Sequence, residues 1–232
     1  MSERASARVP TEVAYERLRA QIVTGRLTAN QRLVEADLVA ELGVSRATIR
    51  SVLARLEYEG LTVREYNHGA RVRMVSADEA VEILQVRSAL EGLGARLAAV
   101  HADDEDIAKL RAIRVGMLQR IEEGDLLGYS DQNSRLHKLV IVTSRHTVIR
   151  RLIDGLNAQM VRFQYRTILV PGRPQESLAE HTGVIEAIAA HDADAAEAAM
   201  RHHLSQVTCT LRTITNDPQQ QASVMQMTRR GG

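Results

Sequence analysis

Asn133, His137, His181 and His203 are the residues of this chain whose types and spacing suit metal chemistry. Asn133 and His137 stand at i and i+4, so on a helix they share one face and can meet one ion. His181 precedes Ile185 and Ile188 on a second helical face, and His203 lies on the stripe Ala196, Met200, His203 and Val207. His202 is turned about 100° off that stripe and belongs in solvent. Each imidazole taken alone reads as a satisfied core histidine. Three of them on apolar faces of three helices are costly unless they pair or bind something, and the set reads as a site. Imidazole nitrogens suit Zn²⁺, Ni²⁺ or a similar divalent ion. Such an ion could also activate water, so a metal-dependent hydrolase is the alternative chemistry. Against it, the nearby general-base candidate Glu180 adjoins His181 in sequence and is rotated off its face. Arg87 is the other unusual residue, a fixed cation among Ile83, Leu90 and Gly94 with Glu91 beside it. Either Arg87 and Glu91 satisfy each other, or the guanidinium awaits an anionic ligand that it grips with two parallel hydrogen bonds.

A second constellation lies near the N-terminus. Ile49, Val52, Leu53 and Leu56 recur at i, i+3, i+4 and i+7, one apolar face of a helix over 45–59. The opposite face presents Ala47, Ser51 and Ala54, small enough for the helix to approach base edges in a major groove. Arg46 and Arg50 flank that face. Ser45, Arg46 and Thr48 fill its first turn, where free N–H groups and the helix dipole favour a phosphate. Gly69, with His68 and Arg71 beside it, marks the tip of a hairpin whose backbone can come near a minor groove.

These residues need two kinds of scaffold. Thr11 can cap a first helix carrying Ala14, Leu18 and Ile22, ended by Gly25; a second spans about 35–42 and stops at Gly43. After the third helix, Leu61 and Val63, then Ala70, Val72 and Met74, alternate with polar residues around Tyr66-Asn67-His68-Gly69, a hairpin signal. Three short helices and a two-stranded hairpin make a winged helix-turn-helix. From Ser76 the pattern is purely helical, with helices expected at 76–100, 103–123, 125–143, 146–169, 176–190 and 193–214. The expected fold is mostly α: an N-terminal winged helix-turn-helix over 9–75, an all-helical bundle of six helices (seven in the longer variant) over 76–215, and a mobile tail over 216–232.

Composition agrees with this division. The chain has 232 residues with a net charge of +1, but the first 75 residues hold 12 Arg, no Lys and 9 acids, whereas seven of the eight His follow. A basic head on a slightly acidic, His-bearing body suggests two jobs. One cysteine, Cys209, cannot build an internal disulfide framework, and no stretch approaches the ~20 apolar residues of a membrane span. A soluble, cytoplasmic protein is expected. Trp is absent and Phe163 is the single Phe, which argues against an aromatic platform for single strands. No P-loop, Rossmann glycine pattern or Ser/His/Asp motif is present.

The head resembles the GntR-family DNA-binding domain. The resemblance is carried by Tyr15-Glu16-Arg17-Leu18, Ile22-Val23-Thr24-Gly25-Arg26-Leu27, Arg32-Leu33-Val34-Glu35, Leu42-Gly43-Val44-Ser45-Arg46, Ile49-Arg50 and Leu56-Glu57-Tyr58-Glu59-Gly60-Leu61. It implies Arg32, Ser45, Arg46, Thr48 and Arg50 as DNA contacts, with His68 and Gly69 reaching the minor groove. Asn30 stands where that family usually has Gly, Ala47-Thr48 where it has Thr-Pro, and Ser51-Val52 where it has Glu-Ala, departures that point to a different operator. Asn133-Ser-Arg-Leu136-His137, Glu180-His181 and Met200-Arg-His-His203-Leu204 are similar to the metal-binding form of the FCD effector domain of the FadR-like subfamily. That resemblance implies a metal held by Asn133, His137, His181 and His203, with Asn133 in the place of the usual Asp as a neutral, weaker ligand. It further implies a small organic acid effector contacting Arg87 and Asn133. The expected function is a homodimeric transcription regulator, a repressor, binding double-stranded operator DNA, and not an enzyme.

Overall fold

The computed structural model describes residues 3–23, 25–65 and 69–216, and the chain divides into two compact units. The tail expected at 216–232 lies, past Asn216, outside the described residues, as does His68. No helix among the described residues is long and apolar enough to cross a membrane.

The first unit contains the residues up to Val75, together with 157–161. Its elements are α1 (Glu3–Val23), β1 (Arg32–Leu33), α2 (Glu35–Leu42), α3 (Arg46–Tyr58), β2 (Thr62–Glu65) and β3 (Gly69–Val72). Leu18 of α1 and Ile49 and Leu56 of α3 are wholly buried at its centre. Two differences from the sequence reading stand out. Thr11 is not a cap: α1 begins at Glu3, since Ala5 and Ala7 ahead of it are helix formers. The hairpin is one part of a three-stranded antiparallel sheet ordered β1-β3-β2. Asn30 turns the chain into β1 with φ +66°, and its amide donates to the Val72 carbonyl at 2.9 Å. A two-residue strand is too short to show alternation in sequence.

α3 is buckled to α1. The Tyr15 hydroxyl donates to Glu59 at 2.7 Å, and the Arg55 guanidinium lies over the Tyr15 ring, 3.4 Å from its centroid. Burial, and then the Glu59 carboxylate, push the Tyr15 hydroxyl up to about 12, so this clamp holds across the physiological range.

The second unit is helical throughout its described residues: α4 (Ala77–His101), α5 (Asp104–Glu122), α6 (Leu126–Thr143), α7 (Thr147–Ile168, apart from the stretch 157–161), α8 (Arg173–Ala189) and α9 (Ala193–Asn216). Side chains cap their starts. Ser76, Asp103, Asp125 and His146 accept the amides of Glu79, Asp106, Gly128 and Ile149. α4 packs against α6, α8 and α9. Gly94 lets α6 come close, since a Cβ there would stand 2.6 Å from Ile141 Cδ1. α8 begins at Arg173, before the expected start at 176, because Pro174 in a first turn gives up no hydrogen bond.

Candidate DNA interface and metal centre

Burial of Ile49, Val52, Leu53 and Leu56 leaves Ala47, Ser51 and Ala54 exposed on the other side of α3. Ser45 Oγ accepts the Thr48 amide at 3.1 Å and lies 2.9 Å from the Thr48 hydroxyl, which fixes where α3 starts. Such a cap contributes about 1 kcal/mol. Arg46 and Arg50 are exposed on the first two turns. Arg50 is held: its Nε donates to Glu35 Oε2 on α2 at 3.0 Å, a pair between separate helices that periodicity does not reveal. Arg32 is exposed on β1 opposite Arg71 of β3, so both side chains leave the same face of the sheet, a placement that suits a phosphate. Gly69 is exposed with φ +80° at the start of β3.

In the second unit, α6 supplies Asn133 and His137, α8 supplies His181, and α9 supplies His203, all buried. His181 Nε2 lies 3.2 Å from His137 Nε2 and 3.1 Å from His203 Nε2. The outer nitrogens are engaged elsewhere. His137 Nδ1 is 2.5 Å from Glu91 Oε2, His203 Nδ1 is 2.7 Å from Glu180 Oε2, and His181 Nδ1 faces Ser177 Oγ at 3.5 Å. An ionised carboxylate only accepts, so His137 and His203 carry their protons on Nδ1. Their Nε2 lone pairs then point inward at His181. When His181 also carries its proton on Nδ1, toward Ser177 Oγ, three Nε2 lone pairs converge and repel unless a cation lies among them, and bonds of about 2.0–2.1 Å to one ion set ligand nitrogens about 3 Å apart. The donor set therefore fits a divalent metal, with carboxylate–histidine pairs orienting two of the rings.

Electrostatics keep two of the rings ready as ligands. Burial first, then the neighbouring His203 and His137, hold the His181 imidazole well below its ordinary range; burial and then His137 do the same to His203. Glu91 is wholly buried, and burial alone would raise its carboxyl. Arg87, and after it His137, outweigh that and hold it below the ordinary carboxylate range.

Four charged residues frame the cage. Arg87 Nε donates to Glu91 Oε1 at 2.7 Å, so the two satisfy each other along one edge of the guanidinium. Sequence reading missed Arg173, which is buried and grips Glu180 through two bonds of 2.7 Å. It also placed Glu180 away from the site. Glu180 instead reaches across from α8 to His203 on α9, since rotation off the His181 face turns it toward the neighbouring helix. His202 is exposed. Asn133 is 8% exposed, and its amide forms no hydrogen bond with the described residues.

Comparison with known proteins follows the same division. Residues 10–72 match the gntR family of bacterial regulatory proteins, and residues 82–206 match the FCD domain. An Escherichia coli protein whose name assigns it to regulation of the L-lactate dehydrogenase operon is 30% identical over 245 residues, covering 95% of this chain and 93% of its own. A Paenarthrobacter nicotinovorans protein, named for transcriptional repression of a D-xylose utilization operon, is 29% identical over 191 residues, with 80% and 81% covered. Among solved structures, Escherichia coli McbR/YncC superposes with a TM-score of 0.74 at 21% identity, over 88% of this chain and 97% of that one.

Proposed function

The chain belongs to the GntR family of bacterial regulatory proteins and carries the FCD domain of its FadR-like branch, and on that premise we propose that it is a repressor released from its operator by a small organic acid. The family and its named relatives are transcription regulators, not enzymes, and the hydrolase alternative falls with them. Glu180, the base that alternative needed, is occupied by Arg173 and His203. In this reading residues 9–75 form the DNA-binding domain and 76–215 the effector domain. Arg32, Ser45, Arg46, Thr48, Arg50 and Gly69 contact DNA, as does His68. His137, His181, His203 and Asn133 hold a zinc or nickel ion. The ion supplies a positive centre for a carboxylate, with the free edge of Arg87 and the Asn133 amide as its further contacts. The observation that carries the reading is that one unit converges three buried Nε2 atoms and the other presents an exposed, Arg-flanked helix.

The DNA part is tested by mobility-shift titration on the region upstream of the gene at several salt concentrations. Arg46 makes no ion pair among the described residues, so Arg46→Ala removes a contact that has nothing to lose first. If it holds a guanine, the variant loses about 1–3 kcal/mol of affinity and relaxes specificity at that base. Arg50→Ala loses less, since Arg50 must leave Glu35 before it binds; that exposed pair is worth ~0–1 kcal/mol. Unchanged affinity in both variants removes α3 from the groove.

A homodimer is supported by the outer face of α4. Val86, Leu90, Leu93, Leu97 and Val100 follow the alternating four- and three-residue spacing of a helix-pairing seam, and Val86, Leu93 and Val100 are exposed. Leu90 and Leu97 pack on a cluster with Ile149 and Ile153 of α7, whose neighbours Val148 and Leu152 are also exposed. A patch of this kind, self-complementary about a twofold axis, fits a second copy. Leu93→Glu is expected to give monomers by sedimentation and to weaken operator binding, as one half-site replaces two. A variant that stays dimeric excludes this seam.

A further inference from the structure

The charges around the cage lead beyond the presence of a metal. Arg87 and Arg173 are each 4% exposed, Glu91 is 0% exposed, and the Glu180 side chain is 11% exposed. Two positive and two negative groups cancel. Both carboxylates are fully committed: Glu91 spends one oxygen on Arg87 and the other on His137, and Glu180 spends both on Arg173 and one also on His203. Neither can swing inward without leaving a buried guanidinium unpaired. The inner donors His137, His181, His203 and Asn133 bring no negative charge to an ion. A divalent cation on them adds two charges that the four groups framing the cage do not balance, in a place where His181 is 0% exposed. Uncompensated buried charge is expensive.

We infer that in this chain the metal and an anion bind as a pair, the favoured anion being one that brings two negative charges, such as a small dicarboxylate. The inference rests on the reading of the histidines as a metal site, and it adds that the ion alone is held weakly. Asn133 is the origin of the effect. An Asp there would supply one of the missing charges from the chain, whereas the unpartnered amide can only offer its oxygen to the ion or its N–H to the anion. The two ligands are then coupled: whatever factor the anion adds to metal affinity, the metal adds to anion affinity.

The test uses full-length protein stripped with chelator. Zn²⁺ affinity is measured by competition against a chromophoric chelator in a non-coordinating buffer, alone and with acetate, malonate, succinate or phosphate, after correction for complexes of each anion with free metal. At least one dianion is expected to tighten Zn²⁺ by roughly 5- to 150-fold, and acetate by less. Asn133→Asp should bind Zn²⁺ more tightly without anion and lose most of the dianion advantage. Zn²⁺ affinity that is the same with and without every anion, or an undiminished dianion effect in Asn133→Asp, overturns the inference while leaving the metal site standing. Absence of Zn²⁺ binding under all conditions overturns both.

Discussion

Glu91→Gln is expected to destabilise the helical unit by about 3–5 kcal/mol, the loss that follows when one partner of a buried ion pair is removed. Glu91 is wholly buried between Arg87 at 2.7 Å and His137 at 2.5 Å, so Gln strands a guanidinium that is 4% exposed. The same geometry predicts how the loss is recovered. Arg87→Met in the Glu91→Gln background removes the stranded charge and leaves a stem of similar shape, so the double variant should regain most of the stability. Denaturant melts followed by circular dichroism measure this for the body's own transition. The wild-type pair also sets an acid limit. Because the Glu91 carboxyl is held below its ordinary range when folded, its contribution is complete above the unfolded carboxylate range near pH 4.3 and is lost as pH falls below it. A Glu91→Gln cost under ~1 kcal/mol would mean that water reaches Arg87 and that the pair contributes little to the frame.

The sequence revealed the inner donors and hid what orients them, and the reason is physical. Asn133 and His137 are one helical turn apart, and His203 sits on a clean apolar stripe, so local periodicity suffices to find them. Glu91 was visible as the i+4 partner of Arg87, but its second oxygen serves a histidine 46 residues away, a contact that exists only after α4 meets α6. Glu180 looked excluded because it is turned from His181, and that turn is what lets it reach α9. Arg173 was lost with the first turn of α8, because a proline marks a break in sequence yet sits without cost at a helix start. The head shows the same division. Ser45 and the buried face of α3 follow from spacing alone, whereas β1 is made by pairing with β3, and the Arg50–Glu35 pair by the docking of α2 on α3.

His181→Ala should abolish tight metal binding, with an affinity loss greater than the 10- to 100-fold typical of removing an outer partner of a metal-bound histidine. His181 is the hub: its Nε2 is the atom that lies 3.2 Å from His137 and 3.1 Å from His203. A plain core histidine would also destabilise the protein when truncated, so stability alone does not separate the two roles. Linkage does. An ion at 100 times its dissociation constant stabilises the folded chain by about 2.7 kcal/mol, so chelator should lower the melting temperature of wild type when the metal and its anion are both supplied. In His181→Ala that chelator shift should vanish, because the fold no longer holds the ion whether or not it melts earlier. His202→Ala removes an exposed imidazole one residue from His203 and should keep the full shift. An equal chelator shift in wild type and His181→Ala would place the metal elsewhere, and no shift in wild type would return the three histidines to the core as packing alone.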